Sequence, residues 1–293
     1  MTDRPFSQTS GIEPGVITPS DAMITYSSYL KVTELISLQN RLSEPAEHDE
    51  MLFIIIHQVY ELWFKQILHE MDRAEDQLVN LKSFGALKTL KRITTIQGVL
   101  TEQVSVLETM TPNDFNRFRS RLNPASGFQS WQFRLVEFRM GLKDQAFLKF
   151  YKTNPEAVAA MEGVKMKSSF YDHVLRFMAQ KGYKIPKEVL ERDVSQYYEP
   201  SVGVEDVFLE IYRNHNDHYD MYILLEALVD LDQQFTLWRY RHVAMVERMI
   251  GARQGTGGSS GVKYLSSTLS KRFFPELWTL RSRLGDSGYG QSI

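Results

Sequence analysis

The chain of 293 residues contains no cysteine. That absence excludes disulfides, zinc–thiolate sites, cysteine-ligated iron–sulfur clusters, thiolate-ligated haem and cysteine nucleophiles together. It accords with a cytoplasmic setting, where thiols stay reduced and disulfides are rare. No apolar run approaches the ~18 residues a membrane span needs, so no membrane association is expected. Strong charge of either sign is also missing. The 34 basic side chains against 36 acidic ones leave a net charge of -2, which points away from nucleic acid as a partner. Residues 1–21 carry Pro5, Pro14 and Pro19 but no apolar core segment, so they read as a mobile tail and not as a secretory signal. With 43% hydrophobic and 24% charged residues, the remainder has the composition of a folded globular chain.

Proline is scarce where it matters. The ten prolines leave two long gaps, Pro45 to Pro112 and Pro200 to Pro275, in which helices can run uninterrupted. Leu52, Ile56, Val59, Trp63, Ile67, Met71, Ala74, Leu78 and Leu81 recur every three or four residues and predict one long amphipathic helix. Leu87, Leu90, Ile93, Ile96, Leu100, Val104, Leu107 and Met110 predict a second. Thr111-Pro112 then supplies an N-cap and a first-turn proline for a short helix to about Leu122, closed by the turn residues Asn123 to Gly127. Phe128, Trp131, Leu135, Phe138 and Leu142 mark another helix. From Val204 the helical pattern continues almost to Gly251, with a break near Asn214 to Asp217. Strand-like alternation is nearly absent. The expectation is an all-α bundle of long helices, with residues 22–285 as a single domain and 286–293 as a C-terminal tail.

With cysteine gone, metal chemistry falls to seven histidines and the carboxylates. None of the histidines follows a glutamate by three residues, so the paired Glu-x-x-His signature of di-iron bundles is missing. His-Glu-x-x-His is missing too. His215-x-Asp217 supplies two of the three ligands of a non-haem iron site, a spelling that also suits a polar break between helices. A haem remains compatible, since one helical histidine among aromatic and aliphatic side chains suffices. His57 and His242 both sit in amphipathic helices, where a histidine is more often a satisfied core residue than a ligand. The run Gly255 to Gly261 lacks the features of both phosphate-binding glycine motifs; it is either a plain surface loop or one that closes over a small polar ligand. On a helix, Arg117 and Arg121 point one way and Arg119 nearly the opposite way. An inward Arg119 needs an anionic partner, from the protein or from a ligand.

Three segments resemble the tryptophan 2,3-dioxygenase family. The first runs from His48-Asp49-Glu50-Met51-Leu52-Phe53 to His57-Gln58-Val59-Tyr60-Glu61-Leu62-Trp63-Phe64-Lys65-Gln66. The second is Phe115-Asn116-Arg117-Phe118-Arg119 with Pro124 to Ser130. The third is Trp238-Arg239, His242, Met245-Val246, Arg248 and Ile250-Gly251, followed by the Gly255 to Gly261 loop and Tyr264-Leu265. The resemblance covers roughly Ile24 to Arg283.

It implies an all-α haem-binding fold of the tryptophan/indoleamine dioxygenase type. It also implies conversion of L-tryptophan and O2 to N-formyl-L-kynurenine, the first step of the kynurenine pathway. One haem b per chain is implied, with His242 as the axial ligand of the iron. His57 is implied as the distal catalytic histidine that meets the indole N–H. Phe53 and Phe115 are implied to line the substrate site, Arg119 to bind the carboxylate, and Thr256 to contact the amino-acid end. Tyr26, Tyr29 and Leu30 match residues that a neighbouring subunit lends to the pocket of a homotetramer, a dimer of dimers. The chain departs from the family at Phe115, where some members carry tyrosine, at Ser27, where glycine is usual, and at Val32-Thr33, where Leu-Asp is common. Two alternatives stay open beside this reading: a relative that oxygenates another aromatic compound, and a haem-binding sensor without turnover.

Overall fold

Residues 23–285 are described by the computed structural model, so the tails expected over 1–21 and 286–293 lie outside the described residues. Helices and short 3-10 turns make up the regular structure among the described residues, with no strand. The chain divides after Asn40. The first unit holds α1 (Tyr26–Leu30) and α2 (Val32–Leu35). Thr25 caps α1 through a reciprocal box with Ser28.

The second unit, from Arg41, holds α3 (His48–Val79), α4 (Ser83–Leu107), α5 (Pro112–Arg119), α6 (Trp131–Arg139), α7 (Pro155–Lys165) and α8 (Phe170–Gln180). It continues with α9 (Lys187–Leu190), α10 (Val202–Arg213), α11 (Tyr219–Ile250), α12 (Val262–Ser267) and α13 (Pro275–Leu284). α3 and α11 are the long struts, at 32 residues each. α4 packs between them, against both.

The apolar stripes account for this packing. On α3, Ile56, Phe64, Ile67, Met71, Ala74 and Leu78 are buried; on α4, Ala86, Leu90, Ile93, Ile96, Leu100, Val104 and Leu107. Leu81, expected to extend the α3 stripe, lies beyond the helix and is exposed, at φ 57°. The cause is the helix end itself. Lys82 N–H donates to the Gln77 carbonyl at 2.8 Å, a six-residue closure that needs a left-handed residue just before it and turns the chain into α4. Thr111 caps α5, accepting from Asp114 N–H at 3.2 Å, and Pro112 opens it. α6 is buried on every side from Phe133 to Phe138, including Arg134 and Glu137. The break between α10 and α11 falls at residues 214–218. Gly251 ends α11 at φ 57°, a conformation that favours glycine.

Two polar clamps inside the second unit hold α11. Fully buried Asp232 accepts from Phe273 N–H at 2.9 Å, Phe274 N–H at 3.2 Å and Trp278 Nε1–H at 3.0 Å, which ties α11 to the start of α13. Two turns on, Arg239 donates to the Lys271 carbonyl at 3.1 Å and pairs with Glu137 of α6 at 3.2 Å. Asp232→Ala strands three buried donors. It is expected to lower the unfolding free energy by about 3 kcal/mol or more, read as a lower urea midpoint with unchanged slope. Asp232→Asn keeps an acceptor oxygen and is expected to cost less.

Candidate active site

Where the α3, α4, α5, α6 and α11 side chains meet, the second unit encloses a cavity of about 280 Å³, also lined by the loops at 126–130 and 255–261. Its walls draw on three apolar clusters: Phe64 and Phe133 from one, Val104, Leu107 and Met245 from another, Phe128 and Tyr264 from the third. Five sequence-predicted residues, Phe53, His57, Phe115, Arg119 and Thr256, line it together with His242. Tyr26, Tyr29 and Leu30 belong to the first unit, where all three are exposed. His215 and Asp217 are exposed between α10 and α11 and do not line the cavity. No group of three His, Asp or Glu side chains suited to a metal occurs among the described residues.

One wall is aromatic. Phe53 of α3 lies 5.8 Å from the ring of Phe115 and 5.6 Å from that of Phe118, and the two α5 rings meet edge-on at 5.5 Å. One turn along α3, His57 packs its ring 4.1 Å from Phe53. His57 Nδ1 lies 2.7 Å from the Phe53 carbonyl, an acceptor only, so Nδ1 carries the proton. The neutral ring then holds its lone pair on Nε2. Burial pushes the His57 pKa down, against the Phe53 hydrogen bond and the charge of Glu61.

His242 is held differently. Its ring stacks on Trp238 with centroids 5.2 Å apart and planes at 13°. It forms no hydrogen bond among the described residues, and its uncovered surface faces the cavity. Burial, and to a smaller extent His57, pushes its pKa down to about 4. His242 is therefore an uncharged imidazole at neutral pH. That is the protonation state of an axial iron ligand, set among aromatic and aliphatic walls of the kind that enclose a macrocycle.

Polar groups gather elsewhere on the wall. α5 exposes Arg117, which pairs with Glu47 at 3.5 Å, and turns Arg119 to the cavity; Arg121, in the 3-10 turn Ser120–Leu122 that follows, is exposed. Arg119 Nη2 donates to the Gln254 carbonyl, and its buried Nε has no partner among the described residues. The Thr256 hydroxyl donates to the Ala125 carbonyl at 2.6 Å, docking the 255–261 loop on the 123–127 turn. Glycine is required there: a Cβ on Gly257 would sit 2.7 Å from Ser126 Cβ, and one on Gly261 would sit 2.8 Å from the Arg253 carbonyl. Lining residues outside the predicted set include Trp238, Glu61, Arg134, Glu137, Arg239 and Tyr264. Trp238 was detectable as an aromatic four residues before His242. Arg134 and Glu137, three apart in an otherwise apolar helix, were the other visible signal.

The second unit thus presents an all-α wall around an aromatic cavity with two uncharged histidines and a half-satisfied arginine, a lining that suits an aromatic ligand bearing an anionic group. Comparison with known proteins narrows this. The tryptophan 2,3-dioxygenase family profile matches residues 10–163 and 204–284. Relatives named tryptophan 2,3-dioxygenase include one from Caulobacter vibrioides, 48% identical over 89% of this chain and 98% of its own length. Another, from Geobacillus thermodenitrificans, is 45% identical over 93% and 97%. A third, from Herpetosiphon aurantiacus, is 48% identical over 89% and 98%. The chain belongs to the tryptophan 2,3-dioxygenase family.

The histidine environment has a measurable consequence. His242 binds its proton more weakly folded, with a pKa near 4, than unfolded, near 6.5. The unfolded state therefore binds more protons between these values, and stability falls as pH drops from 6.5 towards 4. In the haem-free chain, His242→Gln is expected to reduce this acid sensitivity, checked by urea unfolding at pH values on both sides of the window.

Proposed function

We propose that the protein is a haem-dependent dioxygenase that inserts both atoms of O2 across the indole C2=C3 bond of L-tryptophan. The product is N-formyl-L-kynurenine, at the head of the kynurenine pathway. The observation that carries this reading is a single aromatic cavity holding two uncharged imidazoles from different helices, with an arginine nitrogen left unpaired beside them. His242 would hold one haem b per chain through its neutral imidazole. Bound there, the haem supplies the binding and activation of O2.

The chain's own residues orient the substrate. Because His57 Nδ1–H is committed to the Phe53 carbonyl, Nε2 is free to accept the indole N–H. Phe53 and Phe115 pack on the indole. Arg119 clamps the amino-acid carboxylate, with its unpaired Nε available as a donor. Thr256 closes on the same end from the glycine-rich loop. Phe115 has no hydroxyl, so the carboxylate depends on Arg119 more than in members with tyrosine at this position. Tyr26, Tyr29 and Leu30, exposed within their own unit, are lent to the pocket of a neighbouring copy in a homotetramer built as a dimer of dimers. The cytoplasmic location expected from the cysteine-free sequence belongs to the same reading. No helix of the described residues is long and apolar enough to cross a membrane.

The direct test loads the protein with haem, reduces it without oxygen, then admits O2 and L-tryptophan while following N-formylkynurenine absorbance. Isotopically labelled O2 should place both atoms in the product; haem binding without tryptophan consumption would leave a sensor instead. His242→Ala is expected to lose the intense Soret band and all turnover. For Arg119→Lys, loss of a two-pronged charged contact in a water-poor site costs about 2–5 kcal/mol, so kcat/KM for L-tryptophan is expected to fall by roughly 30-fold to several thousand-fold with haem content unchanged. Tryptamine lacks the carboxylate, so the same variant should narrow the preference for tryptophan over tryptamine. An unaltered ratio would remove Arg119 from carboxylate recognition.

A further inference from the structure

A histidine that ligates a metal nearly always donates its second ring N–H to a carboxylate, a carbonyl or a water, and that bond sets the plane of the ring. The cavity offers an internal comparison. His57 and His242 each follow an aromatic residue by four positions on a 32-residue helix, Phe53 on α3 and Trp238 on α11. At that spacing the two side chains meet on one helix face. His57 donates to the carbonyl of its aromatic neighbour and tilts 38° away from that ring. His242 forms no such bond and lies flat, at 13° to the Trp238 indole. The two histidines thus show the two ways a helix can fix an imidazole: by a hydrogen bond or by a stack.

The stacking surface is itself immobilised. Trp238 meets Phe133 of α6 at 5.1 Å and Tyr60 of α3 at 6.3 Å, both within the range of favourable ring contacts. The Tyr60 hydroxyl donates to the Leu100 carbonyl of α4 at 2.6 Å, so that ring cannot swing away without breaking a hydrogen bond. Three helices therefore converge on the indole, and the indole faces His242.

We propose that Trp238 is a positioning residue that sets the ring plane of His242 by aromatic stacking. The inference rests on the reading of His242 as the axial ligand. Its function is to limit rotation of the His242 imidazole by a face-on contact with an indole that is itself packed by Phe133 and Tyr60.

The experiment compares haem-loaded wild type, Trp238→Phe and Trp238→Leu. Two readouts are taken: the iron–imidazole stretching band of the reduced protein in resonance Raman, and the rate of haem transfer to excess apomyoglobin. Trp238→Leu removes the stacking face and is expected to shift and broaden the band and to speed haem loss by about 2- to 12-fold. Trp238→Phe keeps a ring and is expected to stay close to wild type in both. The proposal is overturned if Trp238→Leu matches wild type in both readouts. It is equally overturned if Trp238→Phe and Trp238→Leu change alike, because the ring is then not what matters. Failure of the underlying reading looks different: the wild-type protein would show no iron–imidazole band, or His242→Ala would retain it.

Discussion

The cavity depends on one buried carboxylate. Glu137 lies inside α6 between two guanidinium groups, Arg134 from its own helix and Arg239 from α11. Burial alone would push its pKa up, but Arg134 and then Arg239 outweigh that and hold it below the usual carboxylate range. Ions this deep are costly unless paired and hydrogen-bonded on both sides, so the three groups specify one another's positions more than they add stability. The geometric result is rotational. Arg239 immediately follows Trp238 and precedes His242 by three residues, so pinning Arg239 to α6 fixes which face of α11 the cavity sees. Asp232 repeats the restraint two turns earlier. A helix clamped at both points cannot roll, and a residue four positions from Trp238 must present its ring to the same space.

Much of the frame was legible in the sequence because long helices leave periodic marks. The stripes on α3 and α4 extend over many turns without proline, while Thr111-Pro112 marks the start of α5 and Gly251 the end of α11 by side-chain and backbone chemistry of their own. The opposite orientations of Arg117 and Arg119 follow from 100° per residue alone. The segment between 142 and 202 was not legible in this way. α7 and α8 have 11 residues each, too few for a stripe to stand out, and their starts are signalled only by Asn154-Pro155 and Ser169. α13 likewise begins on a lone proline, Pro275. Its place against α11 is set by Asp232, a contact of long sequence separation that no local pattern announces. Glu137 and Arg239 are hidden for the same reason: partners 102 residues apart in sequence look, one at a time, like ordinary charges in a helix.

The two cavity histidines divide the electrostatic work with Arg119. Both rings are uncharged because burial disfavours the imidazolium, and the Phe53 carbonyl decides which nitrogen of His57 keeps the proton. The positive charge offered to a ligand therefore comes from Arg119. Its Nη2 already rests on the Gln254 carbonyl just before the 255–261 loop, so the group proposed to meet a ligand carboxylate is also tied to the place where the loop begins.

The contact between Gly257 and Ser126 carries a further consequence. The Gly257 backbone packs on the Ser126 side chain at a distance that excludes even a methyl group, and the Thr256–Ala125 hydrogen bond is made beside it. A shared seam of this kind makes the 123–127 turn and the 255–261 loop a single mechanical piece. Displacing one segment drags the other, and through it both Arg119 at the end of α5 and Phe128 at the start of the next wall. A ligand at this rim therefore meets the turn and the loop as one coupled surface, whose clearance is set by Gly257 against Ser126 as much as by the side chains that line the cavity.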